Sequence, residues 1–189
     1  NRDLRWEETS QFNVGVDFEM LKARLKGSVD YYNRVTEGIF QATPISAGNG
    51  ITSLSSNDGS MQNSGLELDL RYSLLKDTKF KLNIFANGAY NKNQLKSLGS
   101  VDTDGDGSFR SGDDFIRNEG EMFGQYFLVP YAGVNPINGN LLFLDINGNY
   151  TESPVDADRR ATGKSSIPVY QGGFGFEANY EGFYVNTLF

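Results

Sequence analysis

The sequence predicts an all-β chain, an antiparallel segment of a transmembrane β-barrel with about six strands and long extracellular loops. Three observations carry that expectation. Apolar and polar residues alternate along each extended stretch, short turns and long polar stretches alternate between them, and aromatic rings collect near the stretch ends. Side chains of a strand alternate faces with a period of two. Such a pattern therefore places one face in an apolar medium and the other against water or polar groups.

Taken in order, 11–19 sets Phe12, Val14, Val16 and Phe18 opposite Asn13, Gly15 and Asp17. A weaker pattern follows over 24–34, with Tyr31 on the apolar side and Lys26, Asp30 and Arg34 on the other. The clearest stretch is 64–72, where Leu66, Leu68, Leu70 and Tyr72 oppose Glu67, Asp69 and Arg71. Over 79–91, Phe80, Leu82, Ile84, Ala86 and Tyr90 oppose Lys81, Asn83, Asn87 and Asn91. Over 170–180, Phe174, Phe176, Ala178 and Tyr180 oppose Gly173, Gly175, Glu177 and Asn179, and 183–189 repeats the pattern more weakly.

A soluble antiparallel sandwich also reads apolar-in and polar-out, so the connections decide. Residues 20–22, 74–77 and 181–182 are tight turns, whereas 36–61 and 93–168 are long and polar. A membrane barrel has short periplasmic turns and long extracellular loops, and so alternates in this way; a sandwich has no such rule. The stretches 36–61 and 93–168 are accordingly expected as extracellular loops of one partial barrel domain covering 1–189. Phe12, Phe18, Tyr31, Tyr72, Phe80, Tyr90 and Tyr180 lie on apolar faces near strand ends, as the aromatic girdles of a barrel do. Six strands are too few to close a useful lumen, and open edges are not tolerated in lipid. The chain is therefore expected to be one arc of a larger barrel.

Composition narrows the function classes. An apolar share of 38% and a mean hydropathy of -0.45 leave no room for helical membrane spans. A net charge of -7 argues against nucleic acid as a partner. The chain has no Cys and no His, which removes the thiolate nucleophile and the commonest general base and metal ligand. An enzyme is not expected.

The residues resemble a known family. Asn1-Arg2-Asp3-Leu4-Arg5-Trp6-Glu7 is similar to the "NPDLKWE" segment of SusC/RagA-type TonB-dependent outer-membrane transporters of Bacteroidetes. Gly27-Ser28-Val29-Asp30-Tyr31-Tyr32 follows in family order, and Asn63-Ser64-Gly65-Leu66-Glu67 matches its "N-x-G-x-E" strand start. Ala132-Gly133-Val134-Asn135-Pro136 with Asn138-Gly139 resembles its "GVDPxTG" turn. Asp158-Arg159, Gly163, Pro168 and Tyr180-Glu181-Gly182-Phe183 resemble its "DR…G…P…YKGF" run. The resemblance implies a later, C-terminal part of a barrel of about 22 strands with a plug domain. It further implies residence in the cell outer membrane, contact with the lipid bilayer, and coupling to TonB through a plug region that this chain does not match. It implies a SusD-like surface lipoprotein as partner, and oligosaccharides or peptides as substrates. Two other readings remain open: a calcium-stabilised extracellular β-sandwich adhesin, and a TonB-dependent siderophore receptor.

One motif suggests a cofactor. Asp102, Asp104 and Asp106, followed by Gly107 and Ser108 and by Asp113 at the twelfth position, read as a D-x-D-x-D-G calcium loop. Calcium takes six to eight oxygens; carboxylates at positions one, three and five converge only where the chain turns sharply at six. Ser108 would offer its backbone carbonyl and Asp113 would close a structural site. A second stretch, Asp145-Ile146-Asn147-Gly148-Asn149, has too few carboxylates and reads as a tight hairpin turn. Asp30, Glu67, Asp69 and Arg71 are expected to pair with one another or with the plug. Tyr126, Phe127, Tyr131 and Tyr150 either stack on a sugar or partner, or form a small core of their own.

Overall fold

The computed structural model describes residues 4–46, 48, 50–112 and 114–189. Its main sheet has six antiparallel strands: β1 (Glu8–Met20), β2 (Leu25–Pro44), β3 (Ser53–Leu75), β4 (Phe80–Ser97), β12 (Tyr170–Tyr180) and β13 (Phe183–Leu188), in the order β1-β2-β3-β4-β12-β13. All six stretches with alternating residues are strands. The sheet is open, as expected of one arc. No helix among the described residues is long and apolar enough to cross a membrane, which says nothing of strands.

Contacts divide the chain into two units. One comprises Thr9–Thr36, Gln62–Asn93 and Pro168–Phe189. Within it, β4 and β12 pair from Phe80↔Tyr180 to Tyr90↔Tyr170, so Leu82, Ile84 and Ala86 face the same side as Ala178, Phe176 and Phe174. The register of β13 adds Phe183, Val185 and Thr187 to that side. Tight turns join the strands. Glu181 and Gly182 both take positive φ, at 45° and 96°, the twist that matches a two-residue hairpin to its strands.

Among the described residues, no second layer of this unit covers this apolar side. Phe12, Val14, Val16, Leu66, Ile84 and Phe174 are 43–63% exposed. A sandwich would bury them against a facing sheet. The arrangement suits a wall with hydrocarbon on one side and water on the other.

The other unit comprises Asn1–Glu8, Glu37–Met61 and Gln94–Ile167. Most of the two long polar stretches, 36–61 and 93–168, falls in this unit. Most of 36–61 is strand, since β2 runs to Pro44 and β3 starts at Ser53. The strand segments 36–44 and 53–61 are largely polar, with apolar residues such as Ile39 and Phe40 on opposite sides, so no face stands out with a period of two. The stretch 93–168 carries regular structure as well. It holds a four-stranded sheet of β5 (Ser108–Ser111), β6 (Phe115–Asn118), β7 (Gln125–Leu128) and β11 (Arg160–Ser165), in the order β11-β7-β6-β5. A three-stranded sheet, β10-β9-β8, is formed by β8 (Tyr131–Val134), β9 (Leu141–Leu144) and β10 (Tyr150–Thr151). Strands of two to six residues are too short for alternation to stand out. The buried apolar residues, Leu95, Leu98 and Val101, all lie in this unit.

Candidate functional site

The site begins with the two faces of the main sheet. On the apolar side, Phe80 and Tyr180 meet at 6.4 Å between ring centroids at the tight-turn end. Tyr90 and Tyr170 meet at 5.2 Å at the other. Ten residues separate Phe80 from Tyr90, about 33 Å at ~3.3 Å per residue. A strand tilt of ~40° reduces that to about 25 Å, the height of the apolar band between the aromatic girdles of a membrane barrel. The spacing is a ruler for hydrocarbon thickness.

The opposite side is hydrophilic and internally paired. Arg71 forks onto Glu177 with two bonds of 3.0 Å, and its guanidinium lies 5.6 Å from the Phe85 ring centroid. Asn83 also donates to Glu177, at 3.4 Å. Arg71 thus does not pair with Asp30, Glu67 or Asp69, as the sequence suggested; its partner lies 106 residues away. The Tyr32 hydroxyl donates to Asn91 at 2.8 Å. Asn13, Asp30, Tyr32, Arg34, Glu67 and Asn91 line a groove of about 410 Å³. Such a wall offers donors, acceptors and both signs of charge to a polar solute. Nothing in it is arranged as a nucleophile beside a base.

The second candidate lies in the other unit. Asp102, Asp104 and Asp106 come together, with one oxygen from each within 4.8 Å of the others. The Asp102 carboxylate accepts from the backbone N–H of Gly105 at 2.8 Å, Asp106 at 3.2 Å and Gly107 at 2.9 Å. Led by the Gly107 donor, these bonds hold its pKa below the usual carboxylate range. Asp106 accepts from the Ser108 N–H at 2.7 Å. Gly107 takes φ 78°, the left-handed conformation that the sixth position of such a loop requires. A carboxylate has about four acceptor positions, so Asp102 keeps one for a cation beyond its three N–H donors. An all-oxygen donor set fits a hard cation such as calcium. Asp113, expected to close the site, lies outside the described residues.

The stretch 145–149 is a hairpin turn. Asp145 accepts from the backbone N–H of Asn147 at 2.9 Å and of Asn149 at 2.7 Å, and Tyr150 pairs with Leu144 across it. Asp156 accepts from both terminal guanidinium nitrogens of Arg110, at 2.6 and 2.7 Å. The loop aromatics divide. Tyr126 stacks on Phe115 at 5.2 Å, and Phe127 lies under Arg110 at 5.4 Å, so both belong to local packing. Tyr131 and Tyr150 stay 59% and 71% exposed.

One cluster joins residues that the sequence sets 12 to 17 positions apart. Glu152 accepts from the side-chain amides of Asn135 at 2.6 Å, Asn138 at 2.9 Å and Asn140 at 2.7 Å. These donors, Asn140 foremost, hold its carboxyl below the usual range. They organise the turn between β8 and β9. The clue available was the run of three Asn within 135–140.

The comparisons with known proteins bear on this geometry. Residues 1–187 match the family described as TonB dependent receptor-like, beta-barrel. The chain belongs to the TonB-dependent receptor β-barrel family. It is 27% identical over 239 residues to TonB-dependent receptor P39 of Formosa agariphila, covering all of this chain and 22% of that protein. It is 29% identical over 163 residues to TonB-dependent receptor SusC of Bacteroides thetaiotaomicron, covering 80% of this chain and 16% of SusC. Among solved structures, the RagAB peptide transporter matches with a TM-score of 0.83 and 27% identity, over all of this chain and 21% of that one. The RagAB peptide importer in its "open-open" state matches with a TM-score of 0.86 and 26% identity, over all of this chain and 20% of that one. The chain therefore spans about a fifth of the length of the relatives it matches. Membership in this family replaces the adhesin reading.

Proposed function

We propose that this chain is part of the barrel wall of a TonB-dependent outer-membrane transporter that imports oligosaccharides or peptides with a SusD-like surface lipoprotein. The observation that carries this reading is the sheet whose aromatic pairs are spaced for an apolar band of about 25 Å, with a polar face of paired charges behind it. The role is passage rather than chemistry. TonB would act through a plug region outside this chain. Similarity to a peptide importer supports the peptide arm of the substrate reading. A siderophore receptor is the second reading, and it differs in having no lipoprotein partner.

The test is purification of the complete transporter in mild detergent, with every co-purifying chain identified by mass spectrometry. A stoichiometric SusD-like lipoprotein is the expected result. A transporter that purifies alone and takes up a chelated metal would favour the siderophore reading. A transporter that stays monodisperse without detergent would overturn the membrane wall altogether.

Calcium is the proposed structural cofactor of the 102–113 loop, with Asp102, Asp104, Asp106, the Ser108 carbonyl and Asp113 as its oxygens. Three carboxylates so close repel one another, and a bound divalent cation would replace that repulsion with attraction.

A further inference from the structure

We propose that the apolar face of the main sheet binds one anionic phospholipid, with an acyl chain in a groove across β2, β3, β4 and β12 and the headgroup at Lys22 and Lys76. The proposal rests on reading this sheet as membrane wall, and adds a lipid preference and a place for it. The groove, of about 450 Å³, is lined by Leu25, Leu70, Tyr72, Ile84, Ala86 and Phe174 among others. Its floor is low where the small Ala86 lies opposite Phe174. A small residue there leaves a trough between flanking rings. The Tyr72 hydroxyl is the only polar side-chain group in the lining, so the trough suits hydrocarbon and offers little to a sugar or peptide.

The groove reaches the tight-turn end. Leu25 opens β2 directly after the first turn, and Tyr72 lies four residues before Lys76. That end also carries the Phe80–Tyr180 pair, where rings meet headgroups.

Charge points to the sign of the lipid. The chain as a whole carries -7, yet 19–26 holds Lys22, Arg24 and Lys26 against Glu19 alone, and 76–81 holds Lys76, Lys79 and Lys81 against Asp77 alone. Arg24 is paired with Asp77, Lys26 with Glu19 and Lys79 with Glu181. Among the described residues, Lys22 and Lys76 form no salt bridge, Lys76 acting on Glu19 only at longer range, and both are exposed between strands. A lysine near an anionic lipid surface favours binding by roughly fivefold, and its long stem lets the ammonium reach the headgroup layer.

The test uses the complete transporter in detergent and native mass spectrometry with two probes, phosphatidylglycerol and phosphatidylcholine. Phosphatidylglycerol should bind with a preference of an order of magnitude for its first equivalent. Filling the trough with Ala86→Phe should remove that first equivalent, whereas Val14→Phe, on β1 outside the lining, should not. The pair Lys22→Asn and Lys76→Gln should lower the preference by about tenfold or more. Val14, Lys22 and Lys76 are exposed and Ala86 is half-buried, and a folded barrel is confirmed by unchanged mobility in detergent. Equal binding of the two lipids, or an unchanged first equivalent in Ala86→Phe, overturns the proposal. Either outcome leaves the membrane wall intact, whereas loss of any detergent requirement would instead overturn the wall.

Discussion

Carboxylates in the unit that holds the small sheets illustrate how a single residue is set by its donors. Asp102 is held ionised by three backbone N–H groups, so it is ready for a cation at neutral pH. Asp102→Asn removes a charge from the cluster and leaves the loop's turn glycine untouched. If the loop takes calcium, this variant should weaken calcium affinity by at least tenfold in isothermal titration of the transporter; unchanged affinity would place calcium elsewhere. Glu152 works differently, because its partners are neutral amides. Its pKa is lowered in the fold, most by Asn140, then Asn138 and Asn135. A lowered carboxylate pKa contributes order that is complete above the ordinary value near 4.5 and is lost as pH falls through the folded-state value. Hydrogen-exchange protection of residues 137–140, corrected for intrinsic rate, should therefore stay level from pH 7 to 5 and drop below about 4.5. A decline already under way at pH 6 would show that another group controls the turn.

Among the elements, β3 depends on close approach to its neighbours. A Cβ on Gly65 would run into the Tyr90 carbonyl and come within 2.7 Å of the Tyr32 hydroxyl. Tyr32 is itself tied to Asn91. The glycine thus lets a ring from β2 lie across β3 towards β4. Gly65→Ala must push either a backbone carbonyl or a hydrogen-bonded ring aside, at a cost of about 1–3 kcal/mol. Urea unfolding of the transporter in detergent should show this loss, and a neutral result would mean that the strands can separate without strain. The alternation of β3 identifies its strand and faces, but it is silent on this crossing. A glycine in a strand only signals that something comes near.

The whole molecule combines two kinds of sheet. The membrane-type sheet leaves large apolar side chains such as Val16 and Phe174 at 62% and 63% exposure. Contiguous exposed apolar surface of that kind is not stable in water, so a detergent requirement belongs with the co-purification experiment as its physical basis. The other unit buries Leu95, Leu98 and Val101 and closes its turns with side-chain hydrogen bonds. Thr43 joins the hydroxyls of Ser56 and Ser100, each at 2.9 Å, which ties together segments that the sequence presents as separate polar stretches.

By itself, the sequence determined the six strands, the side each residue faces, the tight turns and the acidic loop. Each follows from local rules: a period of two, a turn that needs a particular φ, or carboxylates spaced along one bend. Tertiary structure alone decided the pairing of Arg71 with Glu177, the three amides around Glu152, the small sheets within 93–168 and the strand character of 36–61. Those depend on which residues distant in the chain are brought side by side by register. A largely polar strand has no reason to announce itself by alternation.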